Sequence, residues 1–166
     1  VNEWDVSTRE GFMHCYRATV GDVYGYAGLL TGPDRAAAED IVHDVYTALL
    51  ARAQRGDAGV IGFGYLRRSV RNRWIDRLRA EQREQRRLAA QPQGPLHVPA
   101  VDAVDDMPVR LLAELPARER VVMVLRYVDQ MPVDRIAEAL GTTQRAVESV
   151  ISRALGRLRR EVMDNG

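Results

Sequence analysis

The chain contains no lysine: all 24 of its basic residues are arginine. Arginine suits planar, bidentate contact with phosphate and guanine, but so complete an absence of lysine is the mark of a GC-rich genome and carries no mechanism. Cysteine is nearly absent too. The single Cys15 excludes an internal disulfide and suits a reducing cytosol. With His14, His43 and His97 as the only histidines, and with His14 and Cys15 diverging by about 100° on a helix, no zinc-ligand set is in view. Aromatics make up 6% of the chain, and β-branched residues seldom alternate as they would in half-buried strands, so composition favours helix. No run of 18 apolar residues occurs and the first residues are acidic and polar. Neither a membrane span nor a signal peptide is expected, and the expected location is the cytoplasm. There is no Gly-rich phosphate loop, nucleophile motif or metal set, so neither an enzyme nor a cofactor is expected.

What is present is charge sorted by position. The net charge of +1 hides blocks of −4 at residues 1–66, +6 at 67–87, −3 at 88–116, zero at 117–143 and +2 at 144–166. Two basic blocks separated by an acidic one imply two places that touch a polyanion.

The second basic block lies in the most organised stretch, Leu115 to Glu161. Ile136, Ala137 and Leu140 form one face of a short helix, and Gly141 supplies the left-handed residue that ends it. Thr142 or Thr143 can then cap a second helix, whose buried stripe is Val147, Ile151, Ala154, Leu155, Leu158 and Val162. Its other side shows Gln144, Arg145, Glu148, Ser149, Ser152, Arg153 and Arg157. All can bond to bases or phosphates, and the early ones stand where a recognition helix meets the major groove. The spacing therefore predicts a helix-turn-helix.

Upstream, Ser7 or Thr8 can start a helix whose stripe is Phe12, Cys15, Tyr16, Val20, Val23, Tyr24, Ala27 and Leu30, ended by Thr31-Gly32-Pro33-Asp34. A second helix, Arg35 to Arg52, turns Ala38, Ile41, Val42, Val45 and Leu49 inward and Glu39, Asp40, His43, Asp44 and Thr47 outward. That face is either simply solvated or a docking surface for a basic partner. Gln54 to Gly64, with four glycines, reads as a loop. A third helix runs from about Tyr65 to Ala90, with Leu66, Val70, Trp74, Ile75 and Leu78 inside and a crowd of arginines outside. Nine arginines to three acids in residues 67–87 favour a polyanion partner over internal salt bridges. Residues 91–107, rich in proline and aspartate, read as a linker that extends at most ~60 Å at about 3.4 Å per residue. Short helices at Val109 to Glu114 and Ala117 to Val128 then pack behind the helix-turn-helix.

In order, these pieces resemble a bacterial RNA polymerase sigma factor of the extracytoplasmic-function (ECF) group. AEDIVHDVY at 38–46 resembles the segment that docks on the polymerase's largest subunit, YLRRSVRNRWIDRLR at 65–79 the segment that captures the minus-ten strand, and LPARERVVMVLRYV with IAEALGTTQRAVESVISRAL the domain that reads the minus-thirty-five element. The resemblance implies an all-α chain of two helical domains joined by a flexible linker, at 1–90, 91–107 and 108–166. It assigns Glu39, Asp40 and Asp44 to core polymerase, and Tyr65, Arg68, Arg71, Asn72 and Arg79 to minus-ten DNA. Gln144, Arg145, Glu148, Ser149, Ser152, Arg153 and Arg157 fall to minus-thirty-five DNA, with no catalytic residue and no metal. The implied partners are core RNA polymerase, promoter DNA and an anti-sigma protein, without insertion of this chain into a membrane. Asp102, Asp105 and Asp106 would suit a linker that imitates RNA's charge. Members often carry basic residues at the positions of Glu148 and Val150, which leaves phosphate anchoring here to Arg145, Arg153 and Arg157. The competing reading is a dimeric helix-turn-helix regulator acting without replacing a sigma subunit, which gives no task to the basic helix or the acidic linker.

Overall fold

The computed structural model describes residues 3–88 and 107–164. Its elements are β1 (Glu3–Asp5), α1 (Arg9–Thr31), α2 (Arg35–Gln54), β2 (Val60–Gly62), α3 (Phe63–Leu88), α4 (Met107–Ala113), α5 (Ala117–Met123), a π-helical turn (Val124–Val128), α6 (Val133–Leu140) and α7 (Gln144–Asp164). The described residues are all-α apart from β1 and β2, which pair antiparallel. That pairing corrects the expectation of an unstructured loop at 54–64: two three-residue strands far apart in the chain are too short to show a period. By contact the chain divides into two compact units, Val1–Gly28 with Arg35–Arg77 and Leu29–Asp34 with Leu78–Gly166. The linker read at 91–107, with Asp102, Asp105 and Asp106, lies outside the described residues except for Met107.

In the first unit α1, α2 and α3 each bury one stripe. α1 contributes Phe12, Cys15, Val23, Tyr26 and Ala27, α2 Ile41, Val42, Val45, Tyr46 and Leu49, and α3 Leu66, Val70, Trp74 and Ile75. Tyr16, placed on the inner stripe by spacing, is instead exposed, and Tyr26 is inside. The Tyr16 ring stands edge-on to Tyr46 with centroids 4.9 Å apart, so it covers the core rather than entering it.

A polar tie crosses this core. Thr19 donates to the Cys15 carbonyl at 2.6 Å, which uses its single hydroxyl proton, so Tyr46 must be the donor in the 2.8 Å bond between the Thr19 and Tyr46 hydroxyls. Both residues are buried, and such a bond is worth about 1 kcal/mol.

In the second unit α5 is buried from Glu119 to Met123, and Val124 and Leu125 of the π-helical turn continue inside. A buried helix end needs its carbonyls answered. Arg120, itself buried, donates from Nε to the Leu112 carbonyl at 3.0 Å and from a terminal nitrogen to that of Leu115 at 2.7 Å, closing the α4–α5 corner. Desolvation holds its guanidinium below the usual arginine value. α6 ends as its sequence predicts, with Gly141 left-handed at φ 61. Gly141 N–H bonds to the Glu138 carbonyl and Thr142 N–H to that of Ala137, the doubled closure of a Schellman turn. Thr143 is the cap of α7, its hydroxyl accepting from Ala146 N–H at 3.2 Å.

The stripe on α7 differs from expectation at two residues. Val150 is buried with Val147 and Ala154, while Val162 is 52% exposed. Val150 lies about 60° from Val147 at 100° per residue, inside the same arc. Val162 stands near the helix end, past the last of the partly buried residues on this stripe, Leu158.

The Thr19–Tyr46 tie yields a test by pH. Burial pushes the Tyr46 phenol up from 10.0 to about 12. Folding therefore favours the neutral phenol, so this contribution is complete below about pH 10 and is lost as pH rises through about 12. Tyr46→Phe should cost about 1 kcal/mol at neutral pH and should flatten the stability profile in that alkaline window, read by urea denaturation at several pH values.

Candidate nucleic-acid interface

On α2 the three candidate carboxylates are all exposed, and the structure sorts them to two sides of the helix. Glu39 lines an apolar groove of about 430 Å³ between α1 and α2, whose walls include Met13, Tyr16, Val42, Tyr46 and Leu50. Asp40 and Asp44, one turn apart, line a polar cleft of about 460 Å³ toward Arg73, Asp76 and Arg77 of α3. His43 lines both. An apolar trough flanked by carboxylates can seat a helix that carries both apolar and basic residues. The apolar wall was missed in the sequence because Tyr16 and Val42 have core spacing, and only their neighbours show that the groove is open.

On α3, Tyr65, Arg68, Asn72 and Arg79 recur three, four and seven residues apart, which aligns them along one face. Arg68 and Asn72 are exposed, while Tyr65, Arg71 and Arg79 are half-buried. Tyr65 is held in place: Arg52 of α2 donates to its hydroxyl and lies 5.6 Å from its ring centroid. Several of the remaining arginines have structural partners. Arg67 stacks on Tyr26 at 4.7 Å, Arg73 reaches the Asp44 carbonyl at 3.3 Å, Arg77 lies 5.8 Å from the Trp74 ring, and Arg87 pairs with Glu84. Trp74 is core, not a stacking platform.

On α7, Gln144, Arg145, Glu148, Ser149, Ser152, Arg153 and Arg157 are all exposed. At 100° per residue, Gln144 to Arg153 sweep one continuous arc opposite the Val147–Val150–Ala154 stripe. Arg157 falls at the edge of the buried arc instead. Its Nε lies 3.2 Å from the carboxylate of Glu119, whose side chain is 7% exposed against 52% for Arg157. The carboxylate oxygen has no aligned hydrogen bond, so the contact is an ion pair. From α5, Arg118 also reaches the Thr142 hydroxyl at 3.4 Å. Among the described residues no three His, Cys, Asp or Glu side chains converge as a metal requires.

Three exposed faces, acidic on α2, basic on α3 and mixed polar on α7, thus follow one another along the chain. Residues 15–84 match the family described as Sigma-70 region 2, and residues 109–158 match Sigma-70, region 4. An RNA polymerase sigma-E factor of Streptomyces coelicolor is 29% identical over 132 residues, 79% of this chain and 75% of that protein. Its counterpart in Streptomyces avermitilis is 31% identical over 134 residues, 78% of this chain and 73% of that one. This chain belongs to the ECF group of sigma factors. The fold agrees: the sigma factor RpoE of Bartonella quintana, solved in complex with the anti-sigma factor NepR, superposes with a TM-score of 0.52 at 21% identity, covering 92% of this chain and 96% of that one.

Within this sigma factor the absence of a basic residue at Val150 has a structural reason, because that side chain is buried. Arg157 likewise has a task that its spacing did not reveal. Its partner Glu119 stands between Arg118 and Arg120 in the sequence, so nothing local pointed to a cation on α7. Arg157→Ala should leave that carboxylate buried and unanswered, destabilising the C-terminal helices by about 1–3 kcal/mol. Adding Glu119→Gln should recover most of the loss, as a double-mutant cycle in urea would measure.

Proposed function

We propose that the chain binds core RNA polymerase and directs promoter recognition, strand opening and transcription initiation through three separate helix faces. Glu39, Asp40 and Asp44 of α2 take the polymerase. Tyr65, Arg68, Arg71, Asn72 and Arg79 of α3 hold the opened minus-ten strand. The early residues of α7, Gln144, Arg145, Glu148 and Ser149, read base edges of the minus-thirty-five element, while Ser152, Arg153 and the outer edge of Arg157 bond to phosphates. The observation that carries this reading is the exposure of Glu39, Asp40 and Asp44 on α2, of Arg68 and Asn72 on α3 and of the candidates from Gln144 to Arg153 on α7, each set beside its helix's buried stripe. The chain then supplies binding energy, and covalent chemistry belongs to the polymerase.

The working division of the chain is a polymerase-binding and minus-ten domain at 1–90, a linker at 91–107 and a minus-thirty-five domain at 108–166. It acts in the cytoplasm, at the nucleoid when held by polymerase. Among the described residues no helix is long and apolar enough to cross a membrane. An anti-sigma protein is its expected inhibitor, as NepR is the bound partner of the Bartonella quintana sigma factor. Run-off transcription with purified core enzyme on genomic DNA tests the role as a whole, with discrete, chain-dependent transcripts as the expected result.

Two finer outcomes are expected. Reversing Glu39, Asp40 and Asp44 to arginine should abolish binding to core polymerase with circular dichroism unchanged, since none of the three is in the core. Arg153→Ala should weaken binding nearly equally on all promoters and lower the salt slope by about one unit, whereas Glu148→Ala should relax preference at one base pair by about 1–3 kcal/mol. Competition over single-base variants at two salt concentrations separates the two.

A further inference from the structure

The span that matches Sigma-70 region 2 begins at residue 15, yet the chain before it is tightly built. β1 lies antiparallel to β2 with Glu3 opposite Gly62, Trp4 opposite Ile61 and Asp5 opposite Val60, and Val6 N–H continues the pairing to the Gly59 carbonyl at 3.1 Å. Two short strands alone are marginal in water, and here both are anchored. The Val6 side chain is fully buried and Ile61 nearly so. Asp5 accepts from the Ser7 backbone N–H at 3.0 Å and from its hydroxyl at 2.6 Å, and Thr8 caps α1 by accepting from Gly11 N–H at 3.1 Å. The backbone of Asp5 passes so close to α1 that a methyl group on Gly11 would overlap the Asp5 carbonyl oxygen. β1 is thereby fixed to the first helix.

What β1 fixes in turn is the start of α3. β2 ends at Gly62 and α3 begins at Phe63, so the ladder runs without a spacer into the helix that carries Tyr65 and Arg68. The approach to it contains Gly56, Gly59 and Gly62, and glycine loses the most backbone freedom on ordering. Without a partner strand this approach would sample many conformations. With it, Tyr65 stands between two restraints, the ladder on one side and Arg52 on its hydroxyl.

We infer that β1 is a positioning element for strand capture: it orders the glycine-rich approach to α3, so that Tyr65, Arg68 and Asn72 meet the opened minus-ten strand already in place. This rests on the reading of α3 as the strand-capturing helix. β1 itself need touch neither DNA nor polymerase.

The test uses the full chain bound to core polymerase on a promoter, with permanganate reactivity of minus-ten thymines as the readout of melting. Gly11→Ala unseats β1 from α1, and replacing Glu3, Trp4 and Asp5 by glycine removes the strand while keeping Val6 and the Thr8 cap. Each should lower open-complex formation about tenfold, the factor set by freeing roughly one residue's backbone, with core affinity unchanged and the helical circular dichroism of the chain retained at the assay temperature. Asp5→Cys with Val60→Cys, directly opposite in the ladder, should cross-link β1 to β2 on oxidation and melt promoters as well as the native chain. Normal melting in the triple-glycine variant would overturn the inference, as would a loss matched by equal loss of core affinity, or a loss caused by the cross-link. Asn72→Ala and Arg71→Ala run alongside: normal melting in these would overturn the α3 reading itself, whereas their failure beside normal melting of both β1 variants would overturn only the role of β1.

Discussion

A helix that buries one stripe of its surface leaves the remainder to solvent, and that geometric constraint organises recognition throughout this chain. α2, α3 and α7 each bury a stripe, and each presents charge of a different kind on what is left. Segregation matters because a phosphate backbone drawn to arginines would be repelled by carboxylates beside them. Where α2 meets α3 the separation is incomplete: Asp40 and Asp44 share a cleft with Arg73 and Arg77, inside the Debye length of about 8 Å at physiological salt. Elsewhere on these helices each face carries its own kind of charge, and the small net charge of +1 says little about either.

The same constraint fixes rotation. Val147, Val150 and Ala154 are buried on α7, and a slip of one residue would turn the helix by about 100°, carrying Glu148 toward the core. The doubled closure at Gly141 and the Thr143 cap hold the corner, and Arg157 with Glu119 ties the helix farther along. Arg120 performs the equivalent task behind the corner, answering the Leu112 and Leu115 carbonyls where α4 ends. Charged groups in this domain therefore divide between scaffold and surface, and chemical type alone does not tell which is which.

Locally determined features could be read from the sequence. Stripe spacing located the long helices to within a few residues, and Gly141 and the threonines after it announced the turn, because each acts on its own neighbours. Pairings across distance could not be read in this way. β1 and β2 meet across most of the first unit, and nothing in Glu3–Asp5 alone names Val60–Gly62 as its partner. Tyr16 and Tyr26 both fit a helical stripe, and only the placement of α2 decides which is inside. The Glu119–Arg157 pair joins α5 to α7, so spacing on α7 alone gave Arg157 to phosphate. The exposed positions on α2, α3 and α7 were legible because exposure follows from the stripe, whereas what each touches depends on molecules beyond the chain.

The division of labour among the three faces is tested most directly by site-specific photocrosslinking in a promoter complex with core polymerase, with a photoreactive residue placed in turn at Asp40, Asn72 and Glu148. The expected products are a cross-link to a polymerase subunit from position 40, to single-stranded minus-ten DNA from position 72, and to minus-thirty-five duplex from position 148. A polymerase adduct from position 148, or a DNA adduct from position 40, would contradict the assignment of faces.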